Sequence, residues 1–89
     1  MDLNRWKNFS KSQQLLMIGS EFMRAKTWQH KDQEKFILAL ERALNLIDLT
    51  LSDNKWNDNF LMMLKLREEV AKFFISKRTD DIFSLYKIL

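Results

Sequence analysis

The chain has 89 residues and a formal net charge of +3 at neutral pH, and apolar residues make up 46% of it. This length predicts one domain, and the apolar fraction is sufficient for a hydrophobic core. Cysteine is absent and histidine occurs once, which excludes a disulfide framework and a zinc site. The single glycine excludes a glycine-rich phosphate loop. We therefore expect neither a metal nor a cofactor.

The same composition indicates the fold class and the location. Proline is absent and glycine occurs once, whereas a sheet protein of this length usually needs both in its turns. An all-α fold is therefore expected. The N-terminal residues lack the apolar run of a signal peptide, and no segment has the roughly eighteen consecutive apolar residues of a membrane span. We expect a cytoplasmic protein with no membrane partner.

The first half of the chain is predicted to form an arm and two helices. Residues 1–9 show no helical period and form the arm, after which Ser10 and Gln13 fit a capping box. A helix over about residues 11–29 follows, and Gly19 is expected to let a neighbouring helix approach it closely. A short polar connection leads to the central helix, residues 32–52. The apolar faces of these two helices are Leu15, Ile18, Gly19, Phe22 and Ala25, and Phe36, Leu40, Ala43, Leu44, Ile47 and Leu51.

The second half is predicted to add a long helix and a short one. Asp53 is a suitable cap for a helix over residues 54–77, and Thr79 for a helix over residues 80–88. Arg67 lies within the apolar face of the third helix, so we expect it to form a buried ion pair with Glu21. The predicted architecture is a small antiparallel bundle of three long helices plus a short C-terminal helix. The apolar face of the third helix consists of Phe60, Met63, Leu64, Val70, Ala71 and Phe74.

Three segments of the chain carry a resemblance to other proteins. They read LLMIGSEFMRAKTW, LERALNLIDLTLSD and MLKLREEVAKFF, and they contain the motifs Gly-Ser-Glu, Leu-Glu-Arg-Ala-Leu and Leu-Arg-Glu. In these motifs the chain is similar to a set of short uncharacterised all-helical bacterial proteins with no assigned function. The resemblance covers residues 15–74. It implies a helical bundle and no particular activity.

Arg24 and His30 are the weak candidates for catalysis. The five residues between them give a spacing that resembles the catalytic motif of the HEPN family, helical proteins that often act as ribonucleases. The resemblance implies that the arginine holds a phosphate and the imidazole moves a proton. The family motif usually lies on the last long helix, with a polar residue after the arginine, whereas here it spans the end of the first helix and Ala25 follows. An exposed arginine and a helix-end histidine are the commoner interpretation of so short a motif.

A basic and aromatic group near the N-terminus suggests a second function. Residues 1–31 carry six basic and two acidic side chains, a net charge of +4, whereas the rest of the chain nets −1. Lysines there could bind phosphates while tryptophans stack on nucleic-acid bases. We favour the alternative that the tryptophans pack on the bundle, because the basic residues are sparse. The residues in question are Arg5, Trp6, Lys7, Lys11 and Trp28.

A second apolar stripe gives the prediction that we favour. Two positions on the central helix and three on the third point away from the main apolar faces, more than one bundle face can cover. The N-terminal arm and the last helix could cover them, or they could form an interface with a protein partner or in a homodimer. The predicted interface residues are Leu38, Leu49, Met62, Leu66 and Phe73. The predicted function is a non-enzymatic interaction module, with a nucleic-acid-associated protein and a HEPN-like ribonuclease as alternatives.

Overall fold

The computed structural model describes all residues from Met1 to Leu89 and contains helices and turns but no strand. The all-α prediction is therefore confirmed. The α-helices are α1 (Leu3–Lys7), α2 (Lys11–Trp28), α3 (Gln33–Leu51) and α4 (Phe60–Phe74). Two 3-10 helices complete the chain, an inner one over Asn54–Asn59 and a C-terminal one over Ile82–Ile88.

Helix α3 lies at the centre and packs against both α2 and α4. Asp32 caps its start by accepting a hydrogen bond from the backbone N–H of Lys35. The beginning of α2 lies beside the end of α3, because Gln14 donates a hydrogen bond to Asp53 over 3.0 Å. Ser10 and Gln13 form the expected capping box at the start of α2. The buried apolar residues of these two helices are Ile18, Phe22, Ala25, Phe36, Ala39, Leu40, Ala43 and Ile47.

Helix α4 differs from its prediction in both length and orientation. The inner 3-10 helix precedes it, with Asp53 as the expected cap, and the α-helix ends at Phe74 rather than at residue 77. Ser76 stops it, because its φ of 61° lies in the left-handed region. The predicted face was wrong in part: Met63 and Val70 are buried as expected, whereas Phe60 and Leu64 are exposed. The residues that α4 buries are Met63, Leu66, Val70 and Phe73.

Both ends of the chain form short helices that pack against the longer ones. Residues 1–9 contain α1, which Asp2 caps and whose Trp6 is fully buried. The C-terminal 3-10 helix is capped by Asp81, not by Thr79, and it packs against α2 and α4. Gly19 allows this approach as expected, because a Cβ atom there would lie 2.9 Å from Cε2 of Tyr86.

Candidate interaction sites

A buried polar network joins α1, α2 and the inner 3-10 helix at one end of the molecule. The side chain of Gln14 is fully buried and uses both ends of its amide. Its Nε2 donates to the carbonyl of Trp6 over 2.8 Å and to Oδ2 of Asp53 over 3.0 Å. Its Oε1 accepts from the indole N–H of Trp56 over 2.6 Å. The indole N–H of Trp6 in turn donates to Thr50 Oγ1, so every polar group of these side chains has a partner.

Asp53 is the charged member of this network. Lys55 donates to its carboxylate through both the backbone N–H and the ammonium group, the latter over 2.8 Å. Burial raises the pKa of Asp53, but the hydrogen bonds from Lys55 and Gln14 together outweigh it and hold the pKa below its usual value. The carboxylate is therefore a structural anion at neutral pH.

Because of this network, little of the basic and aromatic surface predicted for nucleic-acid binding is available. Trp6 lies in the core, where its ring cannot stack on a nucleic-acid base. Lys11 lies over the ring of Trp56 and donates to Asn59, and Arg5 and Lys7 are exposed on α1. The tryptophan was therefore correctly expected to pack on the helices, and the N-terminal end offers a basic surface without a stacking platform.

The ion pair between Glu21 and Arg67 does not form. Arg67 instead pairs with Asp48 of α3, with 2.6 Å between Nε and Oδ1, and both side chains are about half exposed. Arg67 lies outside the core because the buried face of α4 runs through Leu66 and Val70 and does not include Arg67. Glu21 is buried and pairs with Arg24 one turn along α2, over 2.9 Å. Its second oxygen, Oε2, is buried without a hydrogen-bond partner.

Arg24 and His30 do not form a common site. Arg24 is committed to Glu21, and His30 is exposed in the turn after α2. Arg24 lines a groove between α2 and α3, whereas His30 lines two other depressions near the end of α2. None of these three depressions contains both side chains. The geometry therefore gives no support to the ribonuclease reading.

The C-terminal segment is held at the opposite end of α2 by a second glutamine. Nε2 of Gln29 donates to the carbonyl of Asp80 over 2.6 Å, and its Oε1 accepts from the backbone N–H of Ile82 over 2.8 Å. Lys26 pairs with Asp81 over 2.9 Å, and Arg78 binds Asp80 through two nitrogens. Gln29 is only half-buried, and both aspartates are exposed. The segment is thus fixed by polar contacts that water can reach.

The five predicted interface residues fall into three environments. Leu66 and Phe73 are buried within the chain, at 1% and 2% exposure, so the prediction that these two residues form an interface was wrong. Leu49 and Met62 are half-buried against the core. Leu38 is exposed and lines the groove between α2 and α3.

A different apolar surface takes the place of the predicted one. Phe60, Leu61 and Leu64 lie on the outer side of the first two turns of α4, with exposures of 41%, 79% and 39%. Lys65 and Glu68 follow on the same side and approach each other to 3.6 Å. We call Phe60, Leu61 and Leu64 the α4 patch. Sequence reasoning missed it because it assigned Phe60 and Leu64 to the core.

The groove between α2 and α3 is the second notable surface. It has a volume of about 380 Å³. All three ionisable residues that line it are basic, namely Arg24, Lys35 and Arg42. Its apolar lining is Trp28, Leu38 and Ala39, and the ammonium of Lys35 lies 4.1 Å from the ring centre of Trp28. We call these six residues the basic groove.

These two surfaces consist of apolar and basic side chains. No group of three or more His, Asp or Glu side chains is arranged to hold a metal ion. None of the helices combines the length and apolar character that a bilayer crossing requires. No protein-family model, curated protein or solved structure matches this chain. A functional assignment therefore depends on the α4 patch and the basic groove.

Proposed function

We propose that this chain is a non-enzymatic interaction module that self-associates in the cytoplasm. In this proposal the scaffold is a small antiparallel bundle of three long helices with a short C-terminal helix. The observation that carries the proposal is the α4 patch, three large apolar side chains on one outer surface. A large apolar side chain that is fully in water forfeits about 1.5–3 kcal/mol relative to burial, and a partly exposed one forfeits the corresponding fraction, which favours covering the patch.

A second copy of the chain is a suitable cover for this patch. In a two-fold dimer the same surface is used by both subunits, so one patch supplies both sides of the contact. Phe60, Leu61 and Leu64 would form the apolar centre. Lys65 and Glu68 would remain at its rim, where opposite charges tolerate contact with either sign. The patch is small, so we expect a weak dimer rather than an obligate one.

Sedimentation velocity of the wild type and of two variants tests the proposal. We expect the dimer fraction to rise with concentration through the micromolar range and Leu61→Lys to be monomeric. Ile75→Lys is the matched control, because Ile75 is also an exposed apolar residue but follows the other end of α4. A wild type that stays monomeric up to about 1 mM would contradict self-association. Circular dichroism checks that the variants keep their helix content.

The two alternative functions have less support. A nucleic-acid-associated role would depend on basic side chains alone at the N-terminal end, because Trp6 is buried there. A HEPN-like ribonuclease would need Arg24 and His30 in one site, whereas they line separate depressions. The resemblance to short helical bacterial proteins adds no activity to this choice and stays a prediction.

A further inference from the structure

The basic groove is lined by three cationic side chains and by no carboxylate. Lys35 and Arg42 make no salt bridge with any carboxylate of the chain, and Arg24 pairs with Glu21 while keeping most of its side chain exposed. The spacing explains why the three cations meet. Lys35 and Arg42 are seven residues apart, so they share the edge of α3 that faces α2. On α2, Arg24 and Trp28 are four residues apart and therefore also share one edge.

Between these cations the groove has an apolar floor. Leu38 lies on α3 between Lys35 and Arg42 and is 47% exposed, although it faces a neighbouring helix. Ala39 is buried beside it, and its small side chain leaves the groove open. Half-buried Trp28 forms the opposite wall. The groove thus presents an apolar contact with three positive charges around it.

We propose that the basic groove binds an acidic, amphipathic segment of a partner protein. Its carboxylates would pair with Arg24, Lys35 and Arg42, and an apolar side chain would cover Leu38. A guanidinium can bind a carboxylate through two parallel hydrogen bonds, which favours carboxylates at the two arginines. Arg24 donates to Glu21 through Nη1 alone, so its Nε and Nη2 remain for a second carboxylate. Lys35 has three donors, so it can remain on the indole of Trp28 and still bind a carboxylate. This function goes beyond self-association and uses another surface.

The same contacts favour a protein over a nucleic acid. Stacking needs a free aromatic face, and the ammonium of Lys35 covers one face of Trp28 while the ring itself is half-buried. Three cations are also fewer than the roughly 6–10 phosphate contacts of a strong nucleic-acid binder. An apolar residue of a partner, in contrast, gains from contact with Leu38.

Fluorescence anisotropy with labelled synthetic probes tests the proposal. The main probe is an amphipathic peptide of about twelve residues in which Glu and Asp alternate with pairs of Leu at helical spacing. One control peptide replaces every acid by its amide, a second replaces every Leu by Ser, and a third probe is oligo-dT. We expect the main probe to bind with a micromolar dissociation constant and each control to bind about tenfold more weakly or worse.

Charge reversal in the protein locates the binding. Lys35→Glu combined with Arg42→Glu should weaken binding of the main probe at least about tenfold. The matched control is Lys77→Glu combined with Lys87→Glu, because both lysines are exposed, outside the groove and without a salt bridge. Leu38→Ser should weaken binding by a smaller factor without changing its salt dependence. Helix content by circular dichroism shows that each variant is folded.

Four results would overturn the proposal. The first is that the wild type does not bind the main probe at roughly 500 µM, and the second is that oligo-dT binds more tightly than the main probe. The third is that the amide peptide binds as tightly as the main probe. The fourth is that the two charge-reversal variants lose the same affinity for the main probe. The measurements are repeated in Leu61→Lys, which lacks the central side chain of the α4 patch. Binding of the main probe to this variant does not depend on whether the wild type self-associates, so the peptide-binding proposal and the self-association proposal can fail independently.

Discussion

Two glutamines, Gln14 in α2 and Gln29 at its C-terminal cap, hold the two ends of the chain with the same side-chain amide in different surroundings. Gln14 holds α1 and the inner 3-10 helix, and Gln29 holds the start of the C-terminal 3-10 helix. Each uses its amide nitrogen as a donor and its amide oxygen as an acceptor. Gln14 is fully buried among other hydrogen-bonded side chains, whereas Gln29 is half-buried beside exposed ion pairs.

The difference shows how burial changes the contribution that one hydrogen-bonding pattern makes to the free energy of unfolding. When a buried partner is removed, the remaining donors and acceptors lose both the partner and water, which costs about 1–3 kcal/mol for each group. At the C-terminal end water can replace a lost partner, so the cost is lower. We therefore expect the N-terminal end to open only with the whole domain and the C-terminal end to open first.

The largest effect is expected when an aromatic anchor is removed at each end. Trp6→Ala should lower the free energy of unfolding by about 4 kcal/mol, because Trp6 is fully buried and large. Tyr86→Ala is the matched change at the other end and should cost about 1–2 kcal/mol, since Tyr86 is exposed at its edge. Urea unfolding followed by circular dichroism measures both. Equal costs would remove the distinction between the ends.

The glutamines themselves test the comparison more directly. Gln14→Leu should lower the free energy of unfolding by about 3 kcal/mol, because it leaves Trp56, Asp53 and the carbonyl of Trp6 with fewer partners. Gln29→Leu should cost about 1 kcal/mol and speed amide exchange in the C-terminal segment alone. Hydrogen exchange followed by mass spectrometry separates the two. Local exchange near Trp6 in the Gln14 variant would show that the N-terminal end opens on its own.

The smallest effect concerns pH. The folded-state pKa of Asp53 is lowered, so its charge contributes stability above the unfolded-state pKa of about 3.9, and this contribution is lost as pH falls through the folded value. The wild type should therefore exceed Asp53→Asn in unfolding free energy at pH 7, and the difference should shrink below about pH 4. Asp81→Asn is the matched variant at the other end.

The pKa of Asp81 is also lowered, by the backbone N–H of Phe83 and by Lys26, but its side chain is exposed. Its pH-dependent difference should therefore be smaller than that of Asp53. Thermal unfolding of the three proteins between pH 3 and 7 measures both differences. A difference for Asp53→Asn that does not change with pH would show that the carboxylate acts through shape rather than charge.

The sequence predicted the buried faces of α2 and α3 well because the apolar stripe chosen on each helix contains no charged residue. Helix α4 is apolar at every position from Phe60 to Leu64, so two stripes compete there. One of them passes through Arg67, and the other, through Leu66 and Val70, contains no charge. The uncharged stripe is the buried one, and this criterion would have identified the face correctly.

The sites were less predictable than the helices. The role of Gln14 had no sequence signal, because its partners lie 8, 39 and 42 residues away. The basic groove likewise forms only when α2 and α3 pack together. Arg67 was expected inside the core because the wrong stripe of α4 was chosen. Such contacts depend on tertiary arrangement and not on spacing along one helix.

The amide of Gln14 also fixes the axial register of α2 against α3. Apolar stripes repeat every turn, so a slip of one turn, about 5.4 Å, would still bring apolar side chains into contact. The same slip would break the hydrogen bonds of Gln14 with Asp53 and Trp56, which follow α3, and would leave the buried indole N–H of Trp56 without a partner. The buried amide thus selects one alignment among several that the hydrophobic residues alone would tolerate.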